Sequence, residues 1–313
     1  MVSILYWGFQ MESENSLEKK VTIVGDTSRF HLGSRLNYYE FCKLVSAKYR
    51  IVQELPYDSF GINFMTFDKF FGKLKKTKWW SGLCESDLII VHGEGLTEKC
   101  EDYVYKYLYF SRVGKILGIE SHLVNFSMYE GDPFISLLKD FSYIACRDVL
   151  TLKHLRYLGF DPELSFDCCV LGLDIEKKAK HNGSVALIRG RHGFDEKLAR
   201  KFGTPIKYNC CWLWEGNAIN LSSIKDYVKQ ISNSQVTLST SFHGNIISFL
   251  SGIPFISLDK SNRKYRALDI ELLPKEKTEI LRDPGNIDHR KIVQIHYENI
   301  INVLRERAML NCI

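Results

Sequence analysis

The chain has 313 residues, of which 45% are hydrophobic and 25% are charged. This balance is typical of a soluble globular protein and excludes wholesale disorder, and the length allows two domains of ordinary size. The formal charge of +5 is too small to require nucleic acid as a partner, but it suits an anionic small substrate or an anionic membrane surface.

The cysteines and the apolar segments indicate the compartment. Nine cysteines occur without a CxxC pair or a regular spacing, which predicts reduced thiols that pack in the core. The N-terminal segment has no basic region before its apolar stretch, and the longest apolar segment, 246–258, is interrupted by serine, glycine and proline. Since a membrane span needs about 20 apolar residues, we expect a cytoplasmic protein.

The first half of the chain alternates short aliphatic runs with helical patterns, which predicts a parallel α/β sheet. We expect strands at 21–24, 50–54, 88–92, 122–126 and 143–147. Helices are expected at 35–45 and 97–117, and a third helix should begin after the N-cap residue Asp148 and end at Gly159. Gly25 and Asp26 follow the first strand, where they either turn the chain or line a ligand site.

The segment 68–80 interleaves lysines with aromatic residues and reads DKFFGKLKKTKWW. Two interpretations remain open for it. The lysines could form a solvated face over a core aromatic strip, or residues 69–80 could contact an anionic bilayer as a peripheral element at the inner face of the membrane. Nucleic-acid binding is not expected, because the charge is local and the excess over the whole chain is small.

The composition changes at residues 172–183, where lysines are frequent and no element is convincing. We therefore expect an N-terminal Rossmann-like domain at 1–175 and a C-terminal one at 183–313. In the second domain we expect strands at 185–189, 206–209, 235–240 and 254–258, and helices at 195–202, 222–232 and 243–250. Apolar residues from 293 to 308 mark a long C-terminal helix. Two such α/β units are expected to face each other across a cleft.

The most informative segment is TSFHGN at 240–245. A strand is expected to end at Thr240 and a helix to begin near His243. Ligands of open α/β sheets bind beyond the carboxyl ends of strands, where helix N-termini offer N–H groups to anions. His243 would stand there beside Gly244, which would let a ligand approach the backbone. Because a histidine at a helix start also serves as a structural cap, the pattern alone leaves both roles open.

Together with the GIPFI segment at 252–256 and a basic cluster at 260–264, this motif resembles the polysaccharide pyruvyl transferase family. The glycine-rich turn at 93–95, the Arg-Asp pair at 147–148 and a strand that ends in Arg189 are similar in order and spacing. The resemblance covers about residues 20–270. Some of these motifs also occur in glycosyltransferases with paired Rossmann-like domains, so the implied fold is glycosyltransferase-B-like.

The resemblance implies an activity. A pyruvyl group would pass from phosphoenolpyruvate, as co-substrate without a further cofactor, to two hydroxyls of a sugar. The sugar would belong to a cell-surface polysaccharide or its lipid-linked precursor, and the products would be a cyclic ketal and phosphate. The first domain would hold the acceptor and the second the donor.

The donor would need cations and a proton source. His243 is the candidate contact to the donor phosphate and the candidate general acid, because histidine cycles protons near neutral pH. The candidates for binding the phosphate and the carboxylate of phosphoenolpyruvate are Arg189, Arg191 and Lys264. Their cationic N–H groups form the strongest hydrogen bonds to such anions.

On the acceptor side, Glu94 is the candidate base for a sugar hydroxyl, and His92 is a second candidate. Gly93, Gly95 and Asp26 are candidate acceptor contacts. The pair at 147–148 is expected to form a strand end and a helix cap rather than a catalytic pair. We expect no metal site, since the nine histidines include no HExxH pattern.

Two positions depart from the family's pattern. Ser241 stands where an arginine is common, and Glu94 occupies a turn that commonly carries three glycines. These departures favour a changed acceptor or a non-catalytic relative. The other alternative is a glycosyltransferase that uses a nucleotide sugar on a similar fold. That reading needs a carboxylate for the ribose near 252–269, where Asp259 and Asp269 are present but neither is a clear candidate.

Overall fold

Two parallel β-sheets organise the computed structural model of the chain. The structure describes residues 19–26, 32–56, 66–93, 104–128, 134–164, 168, 185–189, 210–214, 224–234, 236–239, 241–251, 253 and 255–257. The largely apolar strand segments 21–24 and 88–92 are buried, as central strands of a parallel sheet covered on both faces require.

The first sheet has six strands in the order β2-β1-β3-β4-β5-β6, and all of its neighbouring pairs are parallel. Its strands are β1 (Lys20–Asp26), β2 (Arg50–Pro56), β3 (Leu88–His92), β4 (Glu120–Phe126), β5 (Tyr143–Cys146) and β6 (Glu163–Leu164). Every residue of β3 is buried, which agrees with its place inside the sheet. The five predicted strands are confirmed, and β6 is an additional short one.

Six described helices accompany this sheet. They are α1 (Leu32–Ser46), α2 (Phe67–Leu74), α3 (Trp80–Cys84), α4 (Val104–Leu117), α5 (Ile135–Leu138) and α6 (Val149–Tyr157). α1, α4 and α6 confirm predicted helices, whereas α2, α3 and α5 were not predicted because they are too short to show a full apolar period.

The predicted ends of α6 are both confirmed. The Asp148 carboxylate accepts the backbone N–H of Thr151 at 2.8 Å, which is the expected N-cap bond. Beyond the helix, Gly159 has φ +83°, the left-handed conformation that glycine adopts readily after a helix end.

The second sheet has four parallel strands in the order β10-β9-β7-β8. They are β7 (Val185–Arg189), β8 (Cys210–Trp214), β9 (Val236–Ser239) and β10 (Phe255–Ser257), and the described helices are α7 (Ile224–Ser232) and α8 (Phe242–Leu250). β8 was not predicted. The strand expected at 206–209, the helix at 195–202, the domain boundary at 172–183 and the C-terminal helix lie outside the described residues.

One buried apolar cluster joins the two halves. It contains Ile23 and Phe41 of the first half together with Ile188, Tyr227 and Phe242 of the second half, and α1 packs against α7 and α8. A second cluster fills the opposite face of the first sheet, beneath α2 and α4. Among the described residues, no helix is both long and apolar enough to cross a membrane.

Candidate functional site

Each sheet has one point where the direction of the strand order reverses. In the first sheet the chain steps from β1 outward to β2 and then back across β1 to β3; in the second it steps from β7 to β8 and then back to β9. Crevices at the carboxyl ends of such strand pairs are the usual ligand sites of open α/β sheets. We call these places the β1/β3 edge and the β7/β9 edge.

The β7/β9 edge brings two of the predicted donor residues into one region. Ile188 pairs with Ser239, the last residue of β9, and Arg189 is the next and last residue of β7. α8 begins three residues after Ser239, and its second residue is His243. The structure therefore confirms a helix start next to His243 at the carboxyl edge of the sheet, where the helix presents the positive end of its dipole.

The N-cap of α8 is Ser241. Its hydroxyl oxygen accepts the N–H of Gly244 at 3.1 Å, and its own N–H donates to the hydroxyl of Ser239 at 3.0 Å. A serine is among the preferred residues for this bond. The serine that replaces the family's arginine thus caps the helix, and the imidazole of His243, with 3% of the residue exposed, is not the cap.

Gly244 is required by packing inside the second half. A Cβ atom at this position would lie 2.7 Å from Oγ of Ser239 and 2.8 Å from Cδ1 of Ile188. Both distances are shorter than van der Waals contact, so the first turn of α8 lies directly against β7 and β9. The close neighbours of this glycine are the protein's own strands.

Arg147 connects the first half to the start of α8. Its guanidinium carbon lies 4.5 Å from the ring centre of Phe242, and its Nε donates to the hydroxyl of Ser127 at 2.7 Å. Arg147 is 3% exposed, and a desolvated guanidinium over an aromatic face makes a favourable cation–π contact. A buried cation from the end of β5 thus stands beside the helix N-terminus that carries His243.

Burial of Asp148 changes its acid–base behaviour. Desolvation raises the pKa of this carboxyl, while the hydrogen bonds from Ser127 and Thr151 and the charge of Arg147 act in the opposite direction. The carboxylate also accepts the Thr151 hydroxyl at 2.9 Å. The pair at 147–148 therefore divides its roles: Asp148 caps α6, as predicted, and Arg147 faces the second half.

The β1/β3 edge is formed by closely approaching backbones. Gly25 has φ +100°, and a Cβ atom there would collide with the carbonyl oxygen of His92. A Cβ atom on Gly93 would collide with the side chain of Phe126, and the N–H of Gly93 donates to the Val124 carbonyl at 2.9 Å. Both glycines are therefore required because the chain passes close to a neighbouring strand at each position.

Three buried polar side chains form a cluster beneath the β1/β3 edge. Nδ2 of Asn125 donates to Oδ1 of Asn37 at 2.6 Å and lies 2.7 Å from Nε2 of His92. All three residues are 0% exposed. The His92 ring also packs against the rings of Phe41 and Tyr38, with centroids 4.6 and 5.5 Å away. His92 is thus a buried member of a network and not an exposed base.

Within the described residues, each amide of this cluster uses only one of its two polar atoms. Nδ2 of Asn37 and Oδ1 of Asn125 are buried and have no hydrogen-bond partner among the described residues. Asn125 also has φ +53°, a left-handed conformation that is uncommon outside glycine and is often found at functional sites. A group that both donates and accepts, such as a hydroxyl, matches these two atoms.

Several predicted site residues are not placed by the structure. Glu94, Gly95, Arg191 and Lys264 lie outside the described residues, and for Asp26 and Arg189 only the backbone is described. Within the described ranges, no group of three or more His, Cys, Asp or Glu side chains could hold a metal ion. The described cysteines 42, 84, 146 and 168 are free thiols, and burial raises the pKa of Cys146.

Sequence reasoning missed Arg147 and the two asparagines as site residues. Arg147 follows the apolar strand β5 directly, and Asn125 interrupts the apolar end of β4. A polar residue at the carboxyl end of a buried strand is the signal that could have identified both, because ligands bind at that edge.

Comparisons with known proteins give a family and a fold. A family model described as "Polysaccharide pyruvyl transferase" matches residues 23–262. No curated protein matches the sequence. Among solved structures, a putative UDP-N-acetylglucosamine 2-epimerase from Listeria monocytogenes shares 10% identity at a TM-score of 0.50, over 89% of this chain and 91% of that one.

A second UDP-N-acetylglucosamine 2-epimerase shares 11% identity at a TM-score of 0.50, over 88% of this chain and 90% of that one. Likeness at this identity shows the fold alone. The predicted class, two Rossmann-like α/β domains in a glycosyltransferase-B-like arrangement, is thereby confirmed.

Proposed function

The chain belongs to the polysaccharide pyruvyl transferase family, and from this premise we propose that it transfers the pyruvyl group of phosphoenolpyruvate to two hydroxyls of a sugar. The product is a cyclic ketal on a cell-surface polysaccharide or its precursor. The observation that carries the proposal is the meeting of the α8 N-terminus with the buried guanidinium of Arg147, 4.5 Å from Phe242.

This meeting point suits the donor, because phosphoenolpyruvate carries a phosphate and a carboxylate. The N–H groups at a helix N-terminus bind anions, and a guanidinium binds carboxylate or phosphate in a bidentate way. The backbone of Arg189 ends β7 at the same edge, one residue beyond the pair of Ile188 with Ser239. We assign Arg147 and Arg189 to the donor's charges and His243 to its phosphate.

The reaction balances with these groups. His243, in its protonated form, gives a proton to the methylene carbon, and C2 becomes an oxocarbenium-like centre. One sugar oxygen bonds to C2 and releases its proton to a base, for which Glu94 is the candidate. The second sugar oxygen then bonds to C2 as the C2–O bond to phosphate breaks, and phosphate leaves with the electron pair. The proton of the second hydroxyl completes the balance on phosphate.

The acceptor is assigned to the β1/β3 edge. The amides of Asn37 and Asn125 are neutral, so they suit hydroxyls better than they suit a charged donor. Each buried amide offers one polar atom that has no partner among the described residues, and leaving such an atom unsatisfied costs about 1–3 kcal/mol. A sugar hydroxyl bound there, directly or through a water, would remove that cost.

Thermal unfolding with candidate ligands tests the donor assignment. Phosphoenolpyruvate should raise Tm, because a ligand at 100 times its Kd stabilises the folded state by about 2.7 kcal/mol. A panel of nucleotide sugars should leave Tm unchanged. Stabilisation by a nucleotide sugar alone would replace the proposal with a glycosyltransferase, and stabilisation by neither ligand would favour a non-catalytic relative.

Phosphate release from phosphoenolpyruvate in the presence of sugar acceptors tests the residues. His243→Ala and Arg189→Ala should each abolish release while the urea midpoint of unfolding stays close to that of the parent protein. A His154→Ala variant, which changes a histidine of α6 away from the β7/β9 edge, is the matched control and should retain activity. Full activity in His243→Ala would remove the central assignment.

A further inference from the structure

A lysine-rich surface covers α2 and the turn that leads to α3. We define it as the α2–α3 basic face, formed by Lys69, Lys73, Lys75, Lys76 and Lys78. All five residues are exposed, and no aspartate or glutamate occurs between residues 69 and 80. The α2 side chains that point inward are Phe70 and Leu74, both 0% exposed.

The described part of the protein does not neutralise the charge of the α2–α3 basic face. Lys69 and Lys73 stand one helical turn apart on α2, where like charges repel. On the neighbouring helix α4, by contrast, Arg112 and Lys115 share the carboxylate of Asp140 at 3.4 and 2.9 Å. No carboxylate in the described part of the chain forms an ion pair with a lysine of the α2–α3 basic face.

Aromatic rings hold two of the ammonium groups at the surface. Nζ of Lys75 lies 4.3 Å from the centre of the Phe71 ring and 6.0 Å from that of Trp80. Nζ of Lys78 lies 5.6 Å from the Trp79 ring. All three rings are only partly exposed. The rings therefore support the lysines from below, and the outer surface of this face is charged rather than apolar.

A sixth lysine lies under the edge of this surface. Lys106, in the first turn of α4, is 7% exposed and forms no ion pair with a described residue. Burial lowers its pKa, and the nearby charge of Lys73 lowers it further. The N-terminal turn of a helix is also unfavourable for a cation. An anion bound between α2 and α4 would therefore interact favourably with Lys106, with Lys73 and with the N-terminal turn of α4.

We propose that the α2–α3 basic face docks the protein on an anionic lipid bilayer, with lipid headgroup phosphates bound by its lysines. Five exposed lysines within ten residues fit a flat surface of fixed negative charge. Since this face exposes no large apolar side chain among the described residues, the contact is electrostatic and peripheral, and salt weakens it. Docking does not depend on the proposed function, although it would bring a lipid-linked acceptor to the protein.

Vesicle sedimentation of the full chain tests the proposal. The protein should sediment with phosphatidylcholine vesicles that contain about 30% phosphatidylglycerol at low salt, but not with phosphatidylcholine alone. Raising the salt to about 0.5 M should release it. Each lysine near the surface contributes about five-fold to partitioning, so the triple variant Lys69→Glu/Lys73→Glu/Lys76→Glu should bind at least about 100-fold more weakly.

The matched control changes the same charge elsewhere. Lys48 and Lys139 are exposed residues that follow α1 and α5, and Lys153 is an exposed residue of α6. The triple variant Lys48→Glu/Lys139→Glu/Lys153→Glu should retain most of the binding. Equal loss in both triple variants would overturn the proposal, because net charge alone would then explain binding. Equal sedimentation with neutral vesicles would also overturn it.

One further result would identify a different partner. If the parent protein ignores anionic vesicles but binds a single-stranded oligonucleotide, and the α2–α3 triple variant does not, the face serves nucleic acid and the proposal fails. The vesicle assay contains neither donor nor acceptor, so failure here leaves the proposed activity intact, and loss of activity leaves docking intact.

Discussion

At the β1/β3 edge the described polar groups are two neutral amides and the His92 ring, all 0% exposed, whereas at the β7/β9 edge a capped helix N-terminus meets the guanidinium of Arg147. The first edge offers donors and acceptors without a net cation. The second offers positive potential from a helix dipole and a buried cation. In our proposal the two edges therefore bind ligands of different charge.

The difference follows from which residues end the strands. Asn125 is the penultimate residue of β4 and His92 is the last residue of β3. Ser239 ends β9, and its hydroxyl accepts the N–H of Ser241, the cap of α8. Arg147 follows β5 of the first sheet but contacts Phe242 of the second half. This cation beside the N-terminus of α8 is therefore contributed by the first half, and the donor site that we propose needs both halves.

The largest effect is expected for His243→Gln, which keeps a polar side chain but removes the titrating group. Loss of a general acid lowers the rate by about 100–10,000-fold, so phosphate release should fall by this range while phosphoenolpyruvate still raises Tm. Initial rates and thermal shifts measured on the same sample check it. A rate within a factor of about three of the parent protein would break the assignment of proton chemistry to the β7/β9 edge.

Gly244→Ala should cost about 1–3 kcal/mol of unfolding free energy, because the new methyl overpacks α8 against Ile188 and Ser239. Gly72→Ala is the matched control, since a Cβ atom at Gly72 meets nothing within 4 Å. In the interior of α2 this alanine should instead stabilise the protein by about 0.5–1 kcal/mol. Urea unfolding measures both, and a similar change in the two variants would contradict the packing argument.

The variants Asn125→Gly and Asn125→Ala distinguish the effect of losing the side-chain amide from the effect of backbone strain at the β1/β3 edge. Glycine accepts φ +53° without strain, so the alanine variant should be less stable by about 1–2 kcal/mol. Both variants lose the amide, so both should raise KM for the sugar by about ten-fold and leave KM for phosphoenolpyruvate unchanged. An equal rise in both KM values would show that the two edges do not divide the substrates.

Asp148→Asn should give the smallest effect, visible only as a change in pH dependence. The folded-state pKa of Asp148 is raised, so the folded protein binds this proton more tightly than the unfolded chain does. The stability contributed by the proton is present below the unfolded pKa of about 3.9 and is lost as pH rises through the folded pKa.

The variant has no such proton, and its asparagine keeps the cap bond to Thr151. The difference in unfolding free energy, parent minus variant, should therefore decrease as pH rises from about 4. Urea unfolding across this pH range measures the difference. A difference that grows with pH would show that the hydrogen bonds and the charge of Arg147, rather than desolvation, determine the direction of the pKa shift of Asp148.

Much of the fold and part of the site could be predicted from sequence. Buried strands such as β3 and the capped helix α6 depend on apolar runs and on hydrogen bonds within three residues, which are local. α2 and β8 were missed. The eight residues of α2 show barely two turns of periodicity, and β8 begins at Cys210, directly after the strand that was expected at 206–209.

The sequence by itself determined the α/β alternation, the family resemblance and the place of His243 at a helix start, since these depend on patterns within a few residues. Only the tertiary structure decided that Arg147 lies over Phe242 and that Asn125 bonds an asparagine 88 residues away. It also decided that the cation beside the helix capped by Ser241 is Arg147 of the first half. Such contacts join residues that are far apart in the chain. They depend on how two sheets pack around a shared core, and no periodic pattern of residues in the sequence indicates that packing.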